Sequence, residues 1–184
     1  KREQEGHKDE EPQFYVIAPD GGEARRVGTV ATGVECFKWF PDGRRVAFVS
    51  WVWPELKGAA AQAKAHKAWK ERKETGVATS ELNYRYWDHF MPQGRRAHLH
   101  VMDIGTGRSV NLFEGTSLQL SRTEPDANCF DISPDGKRIA FATAPSARVE
   151  EASFSNAGNA IRLINRLGQN GWKVVLPSAR LTLL

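Results

Sequence analysis

Two segments that lie 93 residues apart in the chain repeat each other. They are residues 35–50 (ECFKWFPDGRRVAFVS) and residues 128–143 (NCFDISPDGKRIAFAT), and without gaps they are identical at eight of sixteen positions. Conservative exchanges such as Val46 for Ile139 add to the match. Agreement over this length marks an internal repeat, which restricts the chain to folds that are assembled from similar units.

Each copy of the repeat predicts a β-hairpin. An apolar, aromatic-rich run stands on either side of a Pro-Asp-Gly turn, formed by Pro41, Asp42 and Gly43 in the first copy and by Pro134, Asp135 and Gly136 in the second. Proline presets φ at the first corner, the aspartate accepts from the following backbone, and glycine adopts the left-handed conformation. Because the runs lack polar alternation, we expect these strands to be buried on both faces.

Two further hairpins precede the two copies. Turns at Pro19-Asp20-Gly21-Gly22 and at Gly105-Thr106-Gly107 separate strand-like runs, which are residues 14–18, 23–27, 98–104 and 108–113. Four antiparallel strands per unit, repeated radially, are typical of a β-propeller blade. The fold class that we predict is therefore all-β, a partial β-propeller of about two blades of four-stranded antiparallel sheet.

The spacing of the repeat is about twice the length of a usual blade of roughly 40–50 residues. Residues 51–96 contain no strand-like pair, and the alanine- and lysine-rich stretch at 54–74 predicts a helix. We interpret residues 35–113 as one blade with a helical insertion at about 51–96, between its second and third strands. Leu56, Ala60, Ala63 and Trp69 are the expected apolar stripe of that helix.

The predicted organisation has three parts. Residues 1–12 form a disordered acidic lead, residues 13–146 the partial propeller, and residues 147–184 an atypical tail, either a divergent native ending or the product of a frame shift. In the tail, 156–167 is interpreted as a short helix and 172–176 as one strand. Such a propeller cannot close, so we expect the chain to be part of a longer protein.

Charge and composition disfavour several classes of protein. The pI near 9.2 comes from two basic segments, 54–74 and 147–184, rather than from a basic body. Nucleic-acid binding, which needs a continuous basic face, is therefore not expected. No apolar stretch approaches the roughly 18 residues of a membrane helix, so no membrane partner is expected either.

Cysteines and histidines point to no cofactor. Cys36 and Cys129 occupy equivalent positions of the two repeats, and two free thiols are favoured over a disulfide. His98 and His100 alternate on one face of a strand, as a zinc site requires, but the sequence offers no third ligand, so packing histidines are favoured. We predict no metal and no cofactor.

The FxxxPDGxRxAF repeats resemble the propeller of prolyl-oligopeptidase-family serine peptidases, in the acylaminoacyl-peptidase and dipeptidyl-peptidase-like branch. The segment PDGGEARRV at 19–27 is similar to an outer hairpin of that branch. A more specific resemblance is to the blade insertion of that branch. It is carried by Trp51-Val-Trp-Pro, the helix that follows, RYWDH at 85–89 and His98-Leu-His. The resemblance covers roughly residues 12–145.

That resemblance implies an N-terminal propeller that gates and orients peptide substrates for a C-terminal α/β-hydrolase domain. The chain contains no GxSxG nucleophile elbow and no triad, so we expect it to be inactive alone, and no catalytic residue is assigned. Arg85, Trp87 and Asp88 are the candidate substrate-channel residues, since arginine holds carbonyl or carboxylate groups and tryptophan stacks on side chains. The alternative is a structural Arg85–Asp88 pair beside a core tryptophan.

Two other interpretations stay open. The chain can be a non-enzymatic TolB-like propeller that acts as a protein-interaction scaffold, since such propellers share the Pro-Asp-Gly repeats. It can also be a misassembled reading frame whose product does not fold stably. We expect a cytoplasmic location from the two free thiols and the absence of a visible signal segment, or a periplasmic one if a signal was lost.

Overall fold

The computed structural model describes residues 3–4, 7–76, 78–79, 84–143, 160–167 and 171–175. Within these residues the chain is mostly sheet with one α-helix, and the sheets do not close into a barrel. The elements before the insertion are β1 (Glu3–Gln4), β2 (His7–Lys8), β3 (Tyr15–Ala18), β4 (Gly21–Arg26), β5 (Cys36–Trp39) and β6 (Arg45–Val52). Those that follow are α1 (Gly58–Glu71), β7 (Arg85–Tyr86), β8 (His89–Phe90), β9 (Arg96–Asp103), β10 (Ser109–Asn111), β11 (Phe130–Ile132), β12 (Arg138–Thr143), β13 (Ala160–Leu167) and β14 (Gly171–Val175).

In the described part of the chain, the strands form two antiparallel four-stranded sheets and three two-stranded pairs. In the central sheet the order is β10-β9-β6-β5, and in the last sheet it is β11-β12-β13-β14. The pairs are β1-β2, β3-β4 and β7-β8. The four predicted strands of the complete unit thus lie side by side, with the helical insertion between the second and the third.

The central sheet is built around the pairing of β6 with β9. Eight residues of each strand are in register, from Arg45 opposite Asp103 to Val52 opposite Arg96. Every residue of β6 after Arg45 is buried, and so are the six inner residues of β9. The prediction that the strands of the Pro-Asp-Gly hairpins are buried on both faces is confirmed for β6, but it is wrong for β5, where Phe37 and Trp39 are exposed. β5 lies at the edge of the central sheet, so one of its faces is left uncovered.

Each face of the central sheet packs against a neighbouring sheet. On one face Val46, Phe48 and Met102 meet residues of the β3-β4 pair and its flanks, namely Phe14, Val27 and Val30. On the other face Val49 and Leu99 belong to a larger cluster that extends into the last sheet through Phe130, Ile139 and Phe141. Because both clusters consist of buried hydrophobic residues, they hold three sheets together by burial of hydrophobic surface.

The two Pro-Asp-Gly turns have nearly the same geometry. Asp42 accepts hydrogen bonds from the backbone N–H of Arg44 and of Arg45, at 2.9 and 3.2 Å, and Gly43 has φ +64°. In the second turn Asp135 accepts from the N–H of Lys137 at 3.0 Å, and Gly136 also has φ +64°. The side chain of Arg45 reaches from the first turn to the carbonyl of Gly136, so the two turns lie next to each other.

Cys36 and Cys129 are free thiols, and both lie partly buried at the edge of the larger cluster. Burial, as the largest cause, raises the pKa of Cys36 to about 12. A thiol with so high a pKa is protonated at neutral pH and unreactive.

The structure overturns one prediction for the tail. Ala160–Leu167 is a strand rather than the end of a helix, and it pairs with β12 along six residues. The apolar pattern of this segment does not separate helix from strand, and the edge of β12 supplies backbone partners that only a strand can use. Gly171–Val175 then pairs with β13, close to the predicted strand at 172–176. Residues 144–159 and 176–184 lie outside the described residues.

Gly28 and Gly107 provide a test of how the β3-β4 pair sits on the central sheet. A Cβ atom at Gly28 would lie 2.6 Å from the carbonyl oxygen of Gly107, whereas Gly43, with the same φ of +64°, has open space around it. We expect Gly43→Ala to lower the free energy of unfolding by about 1–2 kcal/mol, the cost of a left-handed alanine. Gly28→Ala also forces a methyl group against the backbone of Gly107. We expect it to lower the free energy of unfolding, measured by urea denaturation, by about 1–3 kcal/mol more than Gly43→Ala does. Equal losses would contradict the packing of these two sheets.

Candidate functional site

The insertion begins with a helix whose buried side is polar. The buried residues of α1 are Gln62 and His66, while Ala60 and Ala63 of the predicted apolar stripe are exposed. The predicted stripe is therefore wrong for Ala60 and Ala63, whereas Leu56 and Trp69 are half-buried. The side chain of Gln62 accepts from the N–H of Trp53 at 3.0 Å and donates to the carbonyls of Trp53 and Leu56 at 2.7 and 3.0 Å. The helix is held by hydrogen bonds to the loop before it, which amphipathicity does not reveal.

A cluster of rings and cations fixes the other end of the helix, and we name Trp53, His66, Trp69 and Arg95 the insertion anchor. The rings of His66 and Trp69 stack with centroids 5.8 Å apart. The guanidinium of Arg95 lies 4.5 Å from the Trp69 ring centre and 5.5 Å from that of Trp53. Since Arg95 directly precedes β9, these contacts tie the helix to the central sheet.

Acidic residues near the N-terminus complete the attachment of α1. The Nζ atom of Lys70 lies 2.6 Å from Glu11 and 2.7 Å from Glu10, and His66 Nε2 lies 3.3 Å from Glu11. The hydrogen bond to Glu10 is the largest cause that raises the pKa of Lys70. These glutamates belong to the segment 1–12 for which the sequence predicts disorder, and in the structure they contact the helix.

Between α1 and β9 the chain makes a short aromatic hairpin, which spans residues 84–90. The sequence predicts no strand pair over 51–96, and the β7-β8 pair corrects this. Trp87 at the turn has φ +50° and is 81% exposed, Phe90 is 68% exposed, and the Tyr84 and Phe90 rings stack at 6.3 Å. The buried Met91, whose N–H donates to the carbonyl of Tyr84, closes the base of the hairpin. The hairpin therefore presents the rings of Trp87 and Phe90 to solvent.

The three predicted channel residues all lie on this hairpin. Arg85 donates through Nε to the carbonyl of Trp87 at 3.0 Å, and Asp88 lies 3.3 Å from His89 Nδ1. The carboxylate of Asp88 is almost fully exposed. The alternative interpretation, an Arg85–Asp88 pair beside a core tryptophan, is wrong, because Trp87 is in solvent and Arg85 bonds to backbone.

His98 and His100 lie inside the central sheet. His98 Nδ1 is 3.0 Å from the side-chain nitrogen of Asn111, and the His100 ring stacks on Phe48 at 5.0 Å. Both are packing histidines, as the sequence favours. The described residues contain no group of three or more histidine, cysteine, aspartate or glutamate side chains placed to hold a metal ion.

Sequence reasoning missed the insertion anchor and the bond by which Glu114 holds the start of α1. Glu114 Oε2 accepts from the N–H of Gly58 at 2.8 Å, across 56 residues of chain. No local pattern could reveal that contact. The spacing of Trp53 and Trp69 around an alanine-rich helix was the one visible signal for the anchor.

The comparisons with known proteins give a coarse link to peptidases. No family model matches the chain. The chain is 26% identical over 156 residues to Dipeptidyl-peptidase 5 of Porphyromonas endodontalis, an alignment that covers 80% of this chain and 21% of that protein. The chain thus spans about a fifth of the length of that relative. Among the described residues, no helix is long and apolar enough to cross a membrane.

The two buried histidines give a test by pH. Burial lowers the pKa of His98 to about 4 and that of His100 to about 3, from an ordinary 6.5. Below about pH 6.5 the unfolded chain therefore binds more protons than the folded chain. The contribution of the two neutral histidines to the free energy of unfolding is complete above that pH and is lost as the pH falls towards the folded pKa values. The loss approaches about 1.4 kcal/mol per pH unit for each histidine.

We expect chemical denaturation over a pH series to show this fall. His100→Phe keeps a ring on Phe48 and should flatten the profile, whereas His89→Gln, at an exposed histidine, should leave it unchanged. If both variants lose stability with falling pH as the unaltered chain does, the burial of His100 does not cause the pH dependence.

Proposed function

We propose that this chain is the N-terminal β-propeller portion of a serine peptidase, which gates and orients peptide substrates for an α/β-hydrolase domain. The observation that carries the proposal is the exposed aromatic hairpin at 84–90, in a chain that is similar to a dipeptidyl-peptidase. The resemblance of its RYWDH segment to the blade insertion of that branch adds support.

The propeller assignment is supported by the repeated architecture. Each four-stranded sheet runs antiparallel from an inner hairpin with a Pro-Asp-Gly turn to an outer hairpin. The two sheets pack face to face through one continuous apolar cluster. Packed sheets of this kind, repeated around an axis, are propeller blades, and the β3-β4 pair would be the outer half of the preceding blade.

The aromatic hairpin is suited to contact an extended peptide. Trp87 and Phe90 offer ring faces that stack on side chains, and an aromatic contact of this kind contributes about 0.5–1.5 kcal/mol. Arg85 donates through Nε to the Trp87 carbonyl. Its terminal N–H groups can donate to a substrate carbonyl or carboxylate. In this proposal Arg85, Trp87 and Asp88 line the substrate path, and the peptide is the partner of the chain.

One observation favours the scaffold as a second candidate. The exposed rings of Trp87 and Phe90 fit a docking surface for another protein as well as a peptide path. A scaffold needs no hydrolase elsewhere in the protein, so an activity measurement separates the two.

The test is an assay of the complete product of the gene with dipeptidyl and N-acyl chromogenic peptides. We expect serine-type hydrolysis, and a roughly three- to tenfold lower kcat/KM in the Trp87→Ala variant because a stacking contact is lost. Trp87→Phe should retain most of the activity, and Ile17→Ala, at another exposed apolar residue, should retain all of it. A complete product without hydrolase activity, or an unaffected Trp87→Ala variant, would overturn the proposal.

A further inference from the structure

A further feature of the molecule, independent of the proposed function, is that the structure holds three identical Pro-Asp-Gly segments in different ways. Besides the two turns of the repeat, which contain Asp42 and Asp135, the hairpin of β3 and β4 turns through Pro19-Asp20-Gly21. Aspartate before glycine can undergo a spontaneous reaction in which the next backbone nitrogen attacks the side-chain carboxyl group, because glycine has no Cβ atom to block the approach. Since the three segments have the same sequence, the fold decides which of them reacts.

Hydrogen bonds restrain both oxygens of the Asp42 carboxylate. Its Oδ1 atom accepts from the N–H of Arg44 at 2.9 Å and from the N–H of Arg45 at 3.2 Å, and its Oδ2 atom accepts from Arg45 Nε at 2.7 Å. The guanidinium of Arg45 is itself fixed, since it lies 4.2 Å from the ring centre of Phe40. The group that has to be attacked is thus stabilised as a carboxylate and held in one orientation.

The carboxylate of Asp135 is restrained in a similar way. Its Oδ1 atom accepts from the N–H of Lys137 at 3.0 Å and from the hydroxyl of Ser133 at 2.6 Å. The hydrogen bond from Ser133 is the largest cause that lowers the pKa of Asp135, so this group stays ionised at neutral pH and loses an oxygen less readily. Gly136 is also buried, and a Cβ atom there would lie 3.6 Å from Arg45 beside the first turn. The backbone of this turn therefore has little room to rearrange.

Asp20 has none of these restraints. Within the described residues, its carboxylate takes part in no hydrogen bond and no ion pair. Asp20, Gly21 and Gly22 are exposed, the two glycines have φ of +103° and +101°, and a Cβ atom at either glycine would meet nothing within 4 Å. Where the other turns have Arg44 and Lys137, whose N–H groups bind the carboxylates, this turn has Gly22. Two successive glycines leave the backbone free to bend towards the geometry of attack.

We propose that Asp20 is the one of these three aspartates that converts to isoaspartate in the folded protein. The nitrogen of Gly21 attacks the side-chain carboxyl carbon of Asp20, a C–N bond replaces a C–O bond, and one water leaves to give a cyclic succinimide. Water then adds at the main-chain carbonyl carbon and breaks its bond to the Gly21 nitrogen. The chain now runs through the former side chain, with no change in composition or oxidation state.

Isomerisation changes the β3-β4 turn in two ways. It lengthens the backbone by one carbon next to the residues where Ala18 pairs with Gly21. It also leaves a free α-carboxylate on an exposed turn, and this is the group that isoaspartyl methyltransferases esterify with the methyl group of S-adenosylmethionine. The inference therefore assigns this turn as a substrate for such enzymes after isomerisation, and the turns at Asp42 and Asp135 as protected.

The experiment incubates the 184-residue chain at neutral pH and body temperature, folded and, in parallel, in guanidinium chloride. Peptide mass spectrometry with electron-transfer fragmentation measures isoaspartate separately at each site, because Asn170-Gly171 undergoes the same chemistry. In the folded chain, Asp20 should isomerise at least about tenfold faster than Asp42 or Asp135, whose hydrogen bonds cost about 1 kcal/mol each to break. In guanidinium chloride the three rates should be similar. Similar rates at the three aspartates of the folded chain, or no isoaspartate at Asp20, would overturn the proposal.

Two variants test the cause of the protection. Ser133→Ala removes the hydroxyl that donates to Asp135 and should raise the rate at Asp135 by about two- to tenfold, the effect of one hydrogen bond. Ser109→Ala, at an exposed serine of β10, should change no rate. Asp42 should stay slow in both variants, which shows that they remain folded. If Asp135 reacts equally slowly in the two variants, hydrogen bonds to the carboxylate do not protect it and the inference fails.

Discussion

The pairing of β6 with β9 is the interaction on which the rest of the structure depends. These strands are neighbours in the sheet although residues 53–95 stand between them in the chain, so their pairing must offset the entropy of closing a long loop. It can do so because nearly every residue of both strands is buried and a hydrophobic cluster covers each face. β5 and β10 pair with the two edges of the β6-β9 pair, and the neighbouring sheets pack on its two faces.

The insertion follows from the same arrangement. A chain that leaves β6 and returns as β9 begins and ends at two adjacent points, so a helix and a hairpin can occupy the space between without disturbing the sheet. Gln62 ties the helix to the end of β6, and Arg95 ties it to the start of β9. The aromatic hairpin at 84–90 is held chiefly at its base, which leaves Trp87 and Phe90 facing solvent. A rigid sheet thus presents an exposed aromatic surface, which is what the proposed contact with peptides requires.

Much of the sheet could be predicted because its signals are local. Pro-Asp-Gly turns between apolar runs define hairpins wherever they occur, and the repeat of Asp42 and Asp135 placed two of them in equivalent positions. The predictions that failed concern residues whose structural partners are distant in sequence. Ala160–Leu167 is a strand because β12 lies beside it, and the buried side of α1 is polar because Gln62 and His66 find partners outside the helix. The exposure of Trp87, at the turn of the hairpin, differs from the usual burial of tryptophan, and no local pattern indicates it.

Native-state hydrogen exchange tests this account most directly, because it measures how stability is distributed along the chain. We expect the slowest amides to belong to β6 and β9. The amides of α1 should exchange faster than those of the two strands but more slowly than those of an isolated helix. The amides of the hairpin Arg85–Phe90 should exchange faster than those of the strands and of α1. Fast exchange throughout β6 and β9, or protection of the hairpin equal to that of the strands, would contradict the view of a rigid sheet that carries a lightly held aromatic surface.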